Sequence, residues 1–457
     1  MNIASDHCDT FSRYIGRFGD LCGDQRTCYT LGQTVEGILG GQSLRCAQIA
    51  RSAPGLAATD SSEQRIRDMV HGNTTKNSPN LDESHLIQRL VQRGVEMLAG
   101  DDEIWVPMDT SDLRKPYATK MPDLMDVREL DGTLVPGYRV ITALGLGKSA
   151  RGLLYHHLFS SKSADFLSEP HEVINAIESV SAALASVPAV VTWLIDRGFD
   201  SIATWHSIWQ QRHHLVGRVR DLGRIVFRPT AHERWERTVI MNLEPHLQPL
   251  ASVQAEMEVQ MEGQKRRYRQ AVTAQVSAVK VQLRYTMLVD KKRQAFSRDV
   301  WIVHVSLSGT VHEPWWLITD WPVLTTEDAA RVFRMYCARW AAEDGYKFIK
   351  ECFGWEEVQV MDLQAIRLLV ALAWVAAAFL YELGVTWDWA EVQLLARLGG
   401  YVPHKGRKPG KIALCKGLQR LYESMATLAL LNGYVAEHGD LPPRIAALIR
   451  GGLPLQL

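Results

Sequence analysis

A change of hydrophobic period near residue 100 constrains the fold of this 457-residue chain more than any other feature of its sequence. Between Thr30 and Gly100 apolar residues recur at helical intervals, and after Gly100 short segments alternate in the manner of strands. In chain order the predicted elements are strands at 104–109, 138–146 and 151–159, a helix at 171–186, a strand at 189–196, a helix from 201 and a strand at 214–220. This order predicts an α/β fold in which three antiparallel strands precede a strand that lies beside the first.

Two aspartates stand at the ends of strands that this order makes neighbours. This order of predicted strands and helices is the one expected of an RNase H-like core. Asp109 ends the first predicted strand and Asp196 ends the fourth. We therefore expect the two carboxylates to meet, although 86 residues separate them in the chain.

Four further alternating segments precede the last helices of the predicted core and indicate a β-rich insertion. They are RIVFRP, RWERTVIMNL, SAVKVQLRYTMLV and DVWIVHVSLSG. A chain of this length is expected to hold three or four units, because a single core rarely grows beyond about 250–300 residues. The predicted organisation is a loosely held tail at 1–30, a helical N-terminal domain at 31–100, core segments at 101–222 and 314–384 on either side of an insertion at 223–313, and a helical C-terminal domain at 385–457.

The segment YCARWAAEDGYKFIK predicts a helix with an unusual polar face. Tyr336, Arg339, Glu343 and Lys350 are spaced by three, four and seven residues, so on a helix they fall within an arc of about 60°. The carboxylate is a metal ligand, and the other three groups are suited to binding phosphate. The alternative is a solvated face with intrahelical pairs of Glu343 with Arg339 and with Lys347.

These four residues match the Tyr-x2-Arg-x3-Glu-x6-Lys signature of one transposase family. The chain resembles a DDE transposase of the insertion-sequence-four family, whose members excise DNA through a hairpin intermediate. WVPMDTSDLRKPYA, with Asp109, looks like the family's first catalytic segment, and VVTWLIDRGFDS, with Asp196, looks like its second. The resemblance runs from about residue 31 to about residue 384.

The resemblance implies a catalytic metal site formed by Asp109, Asp196 and Glu343. Two Mg²⁺ or Mn²⁺ ions would suit three carboxylates, because both metals prefer hard oxygen ligands. Either aspartate alone is more commonly a turn or cap residue. Asp112 would point to the other face of a continuing strand, and Asp200 is expected to cap the helix that follows it.

The resemblance also implies the residues that contact DNA. Within the signature it places Tyr336, Arg339 and Lys350 on phosphates, and Lys347 shares their helix face. Trp315 stands where the family has a tryptophan that stacks on a base flipped out of the duplex, although EPWWLITD also reads as a plain buried strand. Arg218 and Arg220, on one face of HLVGRVR, either flank the cleft or edge the sheet.

The implied activity is cut-and-paste DNA transposition. The partners would be double-stranded DNA, as the transposon's terminal inverted repeats and as target, and a second copy of the chain in a synaptic homodimer. The helical N-terminal domain would bind the transposon end, and the C-terminal helices are the expected place for the dimer interface. Two alternatives stay open: an RNase H-like metal nuclease without strand transfer, and a catalytically inactive DNA-binding relic.

Charge is balanced over the whole chain but not locally. The formal net charge is zero at pH 7. Basic residues nevertheless cluster in two stretches, which could neutralise phosphates or form a solvated ribbon. The first comprises Lys265, Arg266, Arg267, Arg269, Lys280, Arg284, Lys291, Lys292, Arg293 and Arg298, and the second comprises His404, Lys405, Arg407, Lys408, Lys411, Lys416 and Arg420.

Other features of the sequence argue against several classes of protein. Seven cysteines without a C-x2-C pair indicate a reducing cytoplasm, and no secretory leader is evident. The longest uncharged apolar run, Leu368 to Tyr381, is shorter than the roughly 20 residues of a membrane helix, so we predict a buried helix and no membrane partner. GLGKSA has Thr142 where a P-loop needs its first glycine, so ATP is not expected.

Overall fold

The computed structural model of the chain describes residues 3–53, 59–72, 81–129, 131–230, 234–289, 291–402 and 409–452. The helices are α1 (Ile3–Gly16), α2 (Gln25–Gly41), α3 (Cys46–Ser52), α4 (Thr59–Val70), α5 (Glu83–Leu98), α6 (Glu169–Leu184), α7 (Ile202–Gln210), α8 (Thr326–Ala338), α9 (Trp340–Phe353), α10 (Leu363–Thr386), α11 (Trp389–Leu398), α12 (Lys411–His438) and α13 (Pro443–Gly452). The strands are β1 (Glu103–Arg114), β2 (Met125–Arg128), β3 (Leu134–Leu146), β4 (Arg151–Phe159), β5 (Val190–Ile195), β6 (His214–Arg218), β7 (Ile225–Pro229), β8 (Trp235–Val239), β9 (Gln248–Val259), β10 (Tyr268–Val289), β11 (Lys292–Leu307) and β12 (Trp315–Thr319).

These elements form two compact units. The sheet unit comprises Val91–Tyr117 and Asp123–Tyr346. The helical unit comprises Met1–Leu90, Ala118–Pro122 and Lys347–Leu457. The division differs from the predicted domains, because the N-terminal and C-terminal helical segments belong to one unit, and residues 347–384 belong to it as well.

The sheet unit is built on one large mixed sheet. Its main path runs β2-β3-β1-β5-β6-β12-β11-β10-β7-β8, with β4 paired to β3 and β9 paired to β10. Strands β1, β3 and β4 are antiparallel, and β5 lies parallel to β1 and to β6. The predicted antiparallel arrangement of the first three strands and the predicted place of β5 beside β1 are confirmed, while the short β2 was not predicted.

The register of β1 and β5 brings the two predicted aspartates side by side. Met108 of β1 pairs with Ile195 of β5, so Asp109 and Asp196 follow at the same level. Strand β1 does not end at Asp109 as predicted. It continues to Arg114 because residues 110–114 pair with β3 after β5 has ended.

The predicted insertion is not a separate subdomain. Strand β12 pairs with β6 on one side and with β11 on the other, so the sheet passes without a gap from the core strands into β11, β10, β7 and β8. Val272 and Ala274 of β10 join the core on the side of α8, whereas Val281 and Leu283 join the core on the side of α7. Strand β10 therefore contributes to the hydrophobic cores on both faces of the sheet. The alternation of apolar residues along the sequence does not show that the sheet continues from the core strands into this region.

The helical unit begins with an ordered helix where the sequence predicted a loosely held tail. Phe11, Tyr14 and Phe18 of the first 30 residues are at most 5% exposed. The Tyr14 hydroxyl donates to the carbonyl of Val375 at 2.7 Å, and the Phe11 ring lies 5.2 Å from that of Phe379. The prediction of a tail is wrong for the described residues, because aromatic side chains at a helical spacing pack against α10.

Helix α10 forms the centre of the helical unit. Its 24 residues exceed the uncharged run seen in the sequence, and by length and composition it is the one helix among the described residues that could cross a membrane. Most of its apolar window, 78%, is nevertheless buried within the protein. The buried helix predicted there is confirmed.

Candidate active site

Asp109 and Asp196 are positioned by the ends of apolar strand segments. Val191 to Ile195 are buried, and the chain then turns into a single 3-10 turn from Arg197 to Phe199. The Asp196 side chain caps that turn by accepting from the Arg197 amide at 2.6 Å. The Asp109 carboxylate accepts from the amide of Thr110 at 2.9 Å.

The predicted signature helix is interrupted at Arg339. Helix α8 ends at Ala338 and α9 begins at Trp340, so the prediction of one continuous helix from Tyr336 to Lys350 is wrong. The Arg339 amide donates to the carbonyl of Tyr336, and the Ala342 amide donates to that of Arg339, both at 3.1 Å and both in the tighter 3-10 pattern.

Three members of the signature still lie together across this interruption. Arg339 Nη2 is 2.6 Å from Glu343 Oε1, and its guanidinium lies 5.7 Å from the centre of the Tyr336 ring. The Arg339–Glu343 pair considered as the alternative is confirmed. The second pair of that alternative is wrong, because Lys347 approaches Glu351 at 4.0 Å instead of Glu343.

The pKa of Asp109 shows that the other two predicted carboxylates lie near it. Burial first, and then the charges of Glu343 and Asp196, raise the pKa of Asp109 to about 7, although Arg339 opposes this rise. These influences require Glu343, Asp196 and Arg339 to lie within interaction range of Asp109. The structure therefore gathers Asp109, Asp196 and Glu343, which the sequence predicted from three separate segments.

The Arg339 side chain is buried with spare donors. The residue is 4% exposed, and only Nη2 is bonded, to Glu343. Its Nε and Nη1 atoms have no hydrogen-bond partner among the described residues. Burial opposes its charge, but the charges of Glu343, Tyr336 and Asp196 outweigh burial and raise its pKa. Unsatisfied buried donors cost about 1–3 kcal/mol each, so this site favours an added anionic oxygen.

Tyr336 and Trp315 are packed side chains. Burial, with the nearby charge of Asp196, raises the pKa of Tyr336 to about 12, while a hydrogen bond with Arg218 lowers it. Trp315 is 6% exposed, and its ring lies 5.2 Å from Tyr336, 6.1 Å from Phe333 and 6.0 Å from Trp340. Its base-stacking role stays a prediction, and it requires the ring to leave this packing.

Arg218 and Arg220 have different surroundings. Arg218 ends β6 and reaches the Tyr336 hydroxyl. Arg220 lies beyond the strand and is exposed, so the prediction that both share one strand face is wrong. The Arg220 amide donates to Asp200 at 2.7 Å.

Asp200 stabilises the loop after β6 and does not cap α7. Its carboxylate accepts from the amides of Arg220 and Asp221 and pairs with Arg224. The cap residue of α7 is Ser201. The N-cap prediction for Asp200 is therefore wrong, because three donors from a distant loop hold its side chain.

Lys347 and Lys350 belong to the part of α9 that lies in the helical unit. Lys350 Nζ lies 3.6 Å from Glu356 Oε1 and 5.4 Å from the centre of the Trp355 ring. Both lysines are thus paired with acidic side chains of their own unit. Their DNA contacts stay predictions.

The sequence analysis missed three buried polar residues beside the site. The Tyr346 hydroxyl donates to the backbone carbonyl of Asp109 at 2.9 Å. Thr142, which pairs with Asp109 across the sheet, lies 2.9 Å from His156 Nδ1. The one signal in the sequence that could have pointed to these residues is that Tyr346 follows Glu343 by one helical turn and so shares its helix face.

The oxygen atoms of the three carboxylates could bind a divalent metal ion. In the described ranges no group of three His, Cys, Asp or Glu side chains is already placed to bind a metal ion, and Glu343 is bonded to Arg339. Carboxylate oxygens are the ligands that Mg²⁺ and Mn²⁺ prefer, and Asp109, whose pKa is raised chiefly by burial, also feels the negative charges of Glu343 and Asp196, which a cation would neutralise. The donor set therefore fits.

The first basic stretch divides between opposite ends of β10. One part spans the turn before Tyr268 and the first residues of β10, and the other spans the turn after Val289 and the first residues of β11, about 70 Å of strand away. The charges of Arg267 and Arg218 both act on His312, whose pKa burial already lowers. The turn that holds Lys265, Arg266, Arg267 and Arg269 therefore lies near Arg218, whereas the turn with Lys291, Lys292 and Arg293 lies at the far end of the strand. We call them the near turn and the far turn.

Other predicted basic residues are paired or fall outside the described ranges. Lys280 pairs with Asp299 at 2.8 Å, and Arg298 pairs with Asp320 at 2.9 Å. Of the second stretch, the residues from His404 to Lys408 lie outside the described residues, and Lys411, Lys416 and Arg420 lie on α12.

Comparison with solved structures gives a distant similarity. No protein-family model and no curated protein matches the chain. A cryo-EM structure of the piggyBac transposase synaptic complex with hairpin DNA is similar at 9% identity and a TM-score of 0.42, over 93% of this chain and 77% of that one. Overlap at this level does not assign a family.

Proposed function

We propose that this chain is a DDE-type DNA transposase whose β1, β3, β4, β5 and β6 form an RNase H-like core. The observation that carries the proposal is the convergence of Asp109, Asp196 and Glu343. The first two lie at the same level on neighbouring parallel strands, and the third lies on a helix that is bonded to the first strand. Three carboxylates from separate elements are the ligand set that metal-dependent phosphodiester chemistry requires.

In this proposal Asp109, Asp196 and Glu343 would hold Mg²⁺ or Mn²⁺, and the metal would supply activation of an oxygen nucleophile and charge neutralisation at phosphorus. Glu343 is 47% exposed and must release Arg339 to serve as a ligand. Arg339 then turns its donors to a phosphate oxygen, which its unpartnered Nε and Nη1 favour. One ion pair is thus exchanged for two interactions with the bound substrate.

The proposed DNA path leaves the carboxylates along Arg218 and the near turn. Arg218 lies at the site, and Arg218 and Arg267 both act on His312. The residues of the near turn are exposed, and of these Arg269 pairs with Glu256 at 3.7 Å, so Lys265, Arg266 and Arg267 are the ones proposed to meet phosphates. Lys347 and Lys350 would extend this contact, as the signature implies.

The reaction that we propose is cut-and-paste transposition through a DNA hairpin, by a synaptic homodimer in the cytoplasm. A nick at the transposon end would free a 3′-hydroxyl, whose attack on the opposite strand would close the hairpin. Tyr336 and Arg339 would hold the phosphates of the bent end. The same site would then reopen the hairpin and join the 3′-end to target DNA.

The test is Mn²⁺-dependent cleavage of DNA that carries the element's own ends. Glu343→Gln is expected to abolish the hairpin-ended product, because it removes one of the three carboxylates. The matched control is Glu351→Gln, a change of an exposed glutamate two turns along the same helix, which is expected to leave cleavage intact.

The outcomes separate the three activities. The transposase is supported if the wild type forms hairpins and joined product and Glu343→Gln forms neither. Cleavage without joining identifies a nuclease, binding without cleavage identifies a relic, and full cleavage by Glu343→Gln removes that residue from the chemistry.

A further inference from the structure

A chain of buried polar groups runs beneath the candidate site. His156 on β4 pairs with Thr142 on β3, and Thr142 pairs with Asp109 on β1, so all three lie in one row across the sheet. Tyr346 of α9 covers this row. Thr142, His156 and Tyr346 are only 1%, 5% and 4% exposed.

The row is joined by hydrogen bonds that end on the backbone of Asp109. His156 Nδ1 lies 2.9 Å from Thr142 Oγ1. Thr142 is hydrogen-bonded to the Tyr346 hydroxyl, which lies 2.9 Å from the Asp109 carbonyl oxygen. Three strands and one helix are thereby linked through side chains.

The direction of these bonds follows from counting protons. The carbonyl of Asp109 can only accept, so Tyr346 gives its single hydroxyl proton to it. Thr142 must then give its proton to the Tyr346 oxygen. Because Thr142 has no second proton, His156 has to donate from Nδ1, which fixes the histidine tautomer. Burial lowers the pKa of His156 to about 3, so the ring stays neutral at working pH.

The last bond of this row connects two proposed metal ligands. Tyr346 follows Glu343 by three residues and lies on the same face of α9. Its hydroxyl fixes that part of the helix against the residue that carries the Asp109 carboxylate. A phenylalanine would fill the same space and leave this tie unmade.

We infer that Tyr346 is a positioning residue, which sets the distance between Asp109 and Glu343 through its hydrogen bond to the Asp109 carbonyl, with Thr142 and His156 as its supports. The inference rests on the proposed function. Sub-ångström changes at reacting groups cost activity although the fold is intact, and displacements of about 1 Å can cost about 100-fold. A side chain that only filled space would not have this effect once replaced by one of the same shape.

The test compares Tyr346→Phe with Tyr155→Phe in the full-length protein. Tyr155 lies on β4, and its hydroxyl contacts His157 at 3.5 Å, outside the row. We expect Tyr346→Phe to weaken Mn²⁺ binding, measured by calorimetry without DNA, and to lower kcat about 10- to 100-fold with KM for DNA unchanged. Tyr155→Phe should match the wild type in both.

A double variant distinguishes positioning from general destabilisation. Thr142→Val removes the donor to Tyr346, and Thr142→Ser keeps it. If Thr142 acts through Tyr346, Thr142→Val lowers Mn²⁺ affinity in the wild type but adds nothing in Tyr346→Phe, and Thr142→Ser changes little. If Tyr346→Phe fails to fold, the comparison of Thr142→Val with Thr142→Ser still tests the positioning role.

Each result decides the inference. Additive losses, or an active Tyr346→Phe with wild-type Mn²⁺ affinity and kcat, would overturn the positioning role and leave the proposed function standing. A wild type that neither binds Mn²⁺ nor cleaves would overturn the proposed function and this inference with it.

Discussion

At the residue scale, the site consists of like charges that the fold forces together. Asp109 receives the repulsion of Glu343 and Asp196, and Arg339 offsets part of it. Such an arrangement destabilises the free protein and prepares it for a cation. The titration of Asp109 therefore gives a direct test.

We predict that Asp109→Asn stabilises the metal-free protein at pH 8 and not at pH 4. The folded pKa of Asp109 is raised from 3.8 to about 7. Between these values the unfolded chain has lost the proton that the folded protein retains, so stability falls as the pH rises. The gain at pH 8 is at most about 4 kcal/mol, since one pKa unit equals about 1.36 kcal/mol.

The measurement is denaturant unfolding of both proteins in EDTA from pH 4 to pH 8. The difference between them should grow with pH and level off above pH 7. A difference that does not depend on pH, or a wild type that is the more stable at pH 8, would contradict the raised pKa.

At the element scale, long strands place basic residues that look continuous in the sequence at two separate positions. Strand β10 spans 22 residues and carries the near turn and the far turn at its ends. Arg267 of the near turn and Arg218 both act on His312. The sequence alone gave one basic cluster, and the hairpin geometry divides it.

We predict that charge reversal in the near turn weakens DNA binding much more than the same change in the far turn. The variants are Arg266→Glu with Arg267→Glu, and Lys291→Glu with Lys292→Glu as the matched control. The logarithm of the DNA-binding constant falls with the logarithm of the salt concentration. Losing two phosphate contacts should make this dependence shallower by about 1.8, since each contact contributes about 0.9 to the slope.

Binding is measured with DNA that carries the element's ends, over a range of salt concentrations. Equal losses in both variants would mean that the two turns act only through total charge. A larger loss in the far turn would place the DNA at the other end of the strand.

At the scale of the whole molecule, segments from both ends of the sequence share one hydrophobic core. Helix α1 packs on α10 through Phe11, Tyr14 and Phe379, and Arg17 pairs with Glu382 at 2.7 Å. Phe11, Tyr14 and Arg17 therefore contribute to the stability of the helical unit.

We predict that Phe11→Ala destabilises the helical unit by about 3–5 kcal/mol, the usual cost of removing a buried aromatic side chain. Arg13→Ala, on the same helix and exposed, is the control and should change stability by less than about 0.5 kcal/mol. Thermal unfolding with limited proteolysis measures both. Unchanged stability in Phe11→Ala would restore the loosely held tail that the sequence pattern indicated.

The sequence by itself determined the features that depend on local period and on order along the chain. The alternation of apolar residues gave strands β1, β3, β4, β5 and β6 in their order, and that order places Asp109 beside Asp196. The spacing of Arg339 and Glu343 gave their contact, because residues four apart are neighbours on any helix.

The tertiary structure decided what depends on partners that are distant in sequence. No local pattern shows that β12 carries the sheet into the predicted insertion, or that α1 packs on α10. The same holds for Tyr346, since a tyrosine on a helix has no preferred partner until the fold brings the Asp109 carbonyl to its hydroxyl. Local period reports which side of an element is apolar, and only long-range packing decides what that side meets.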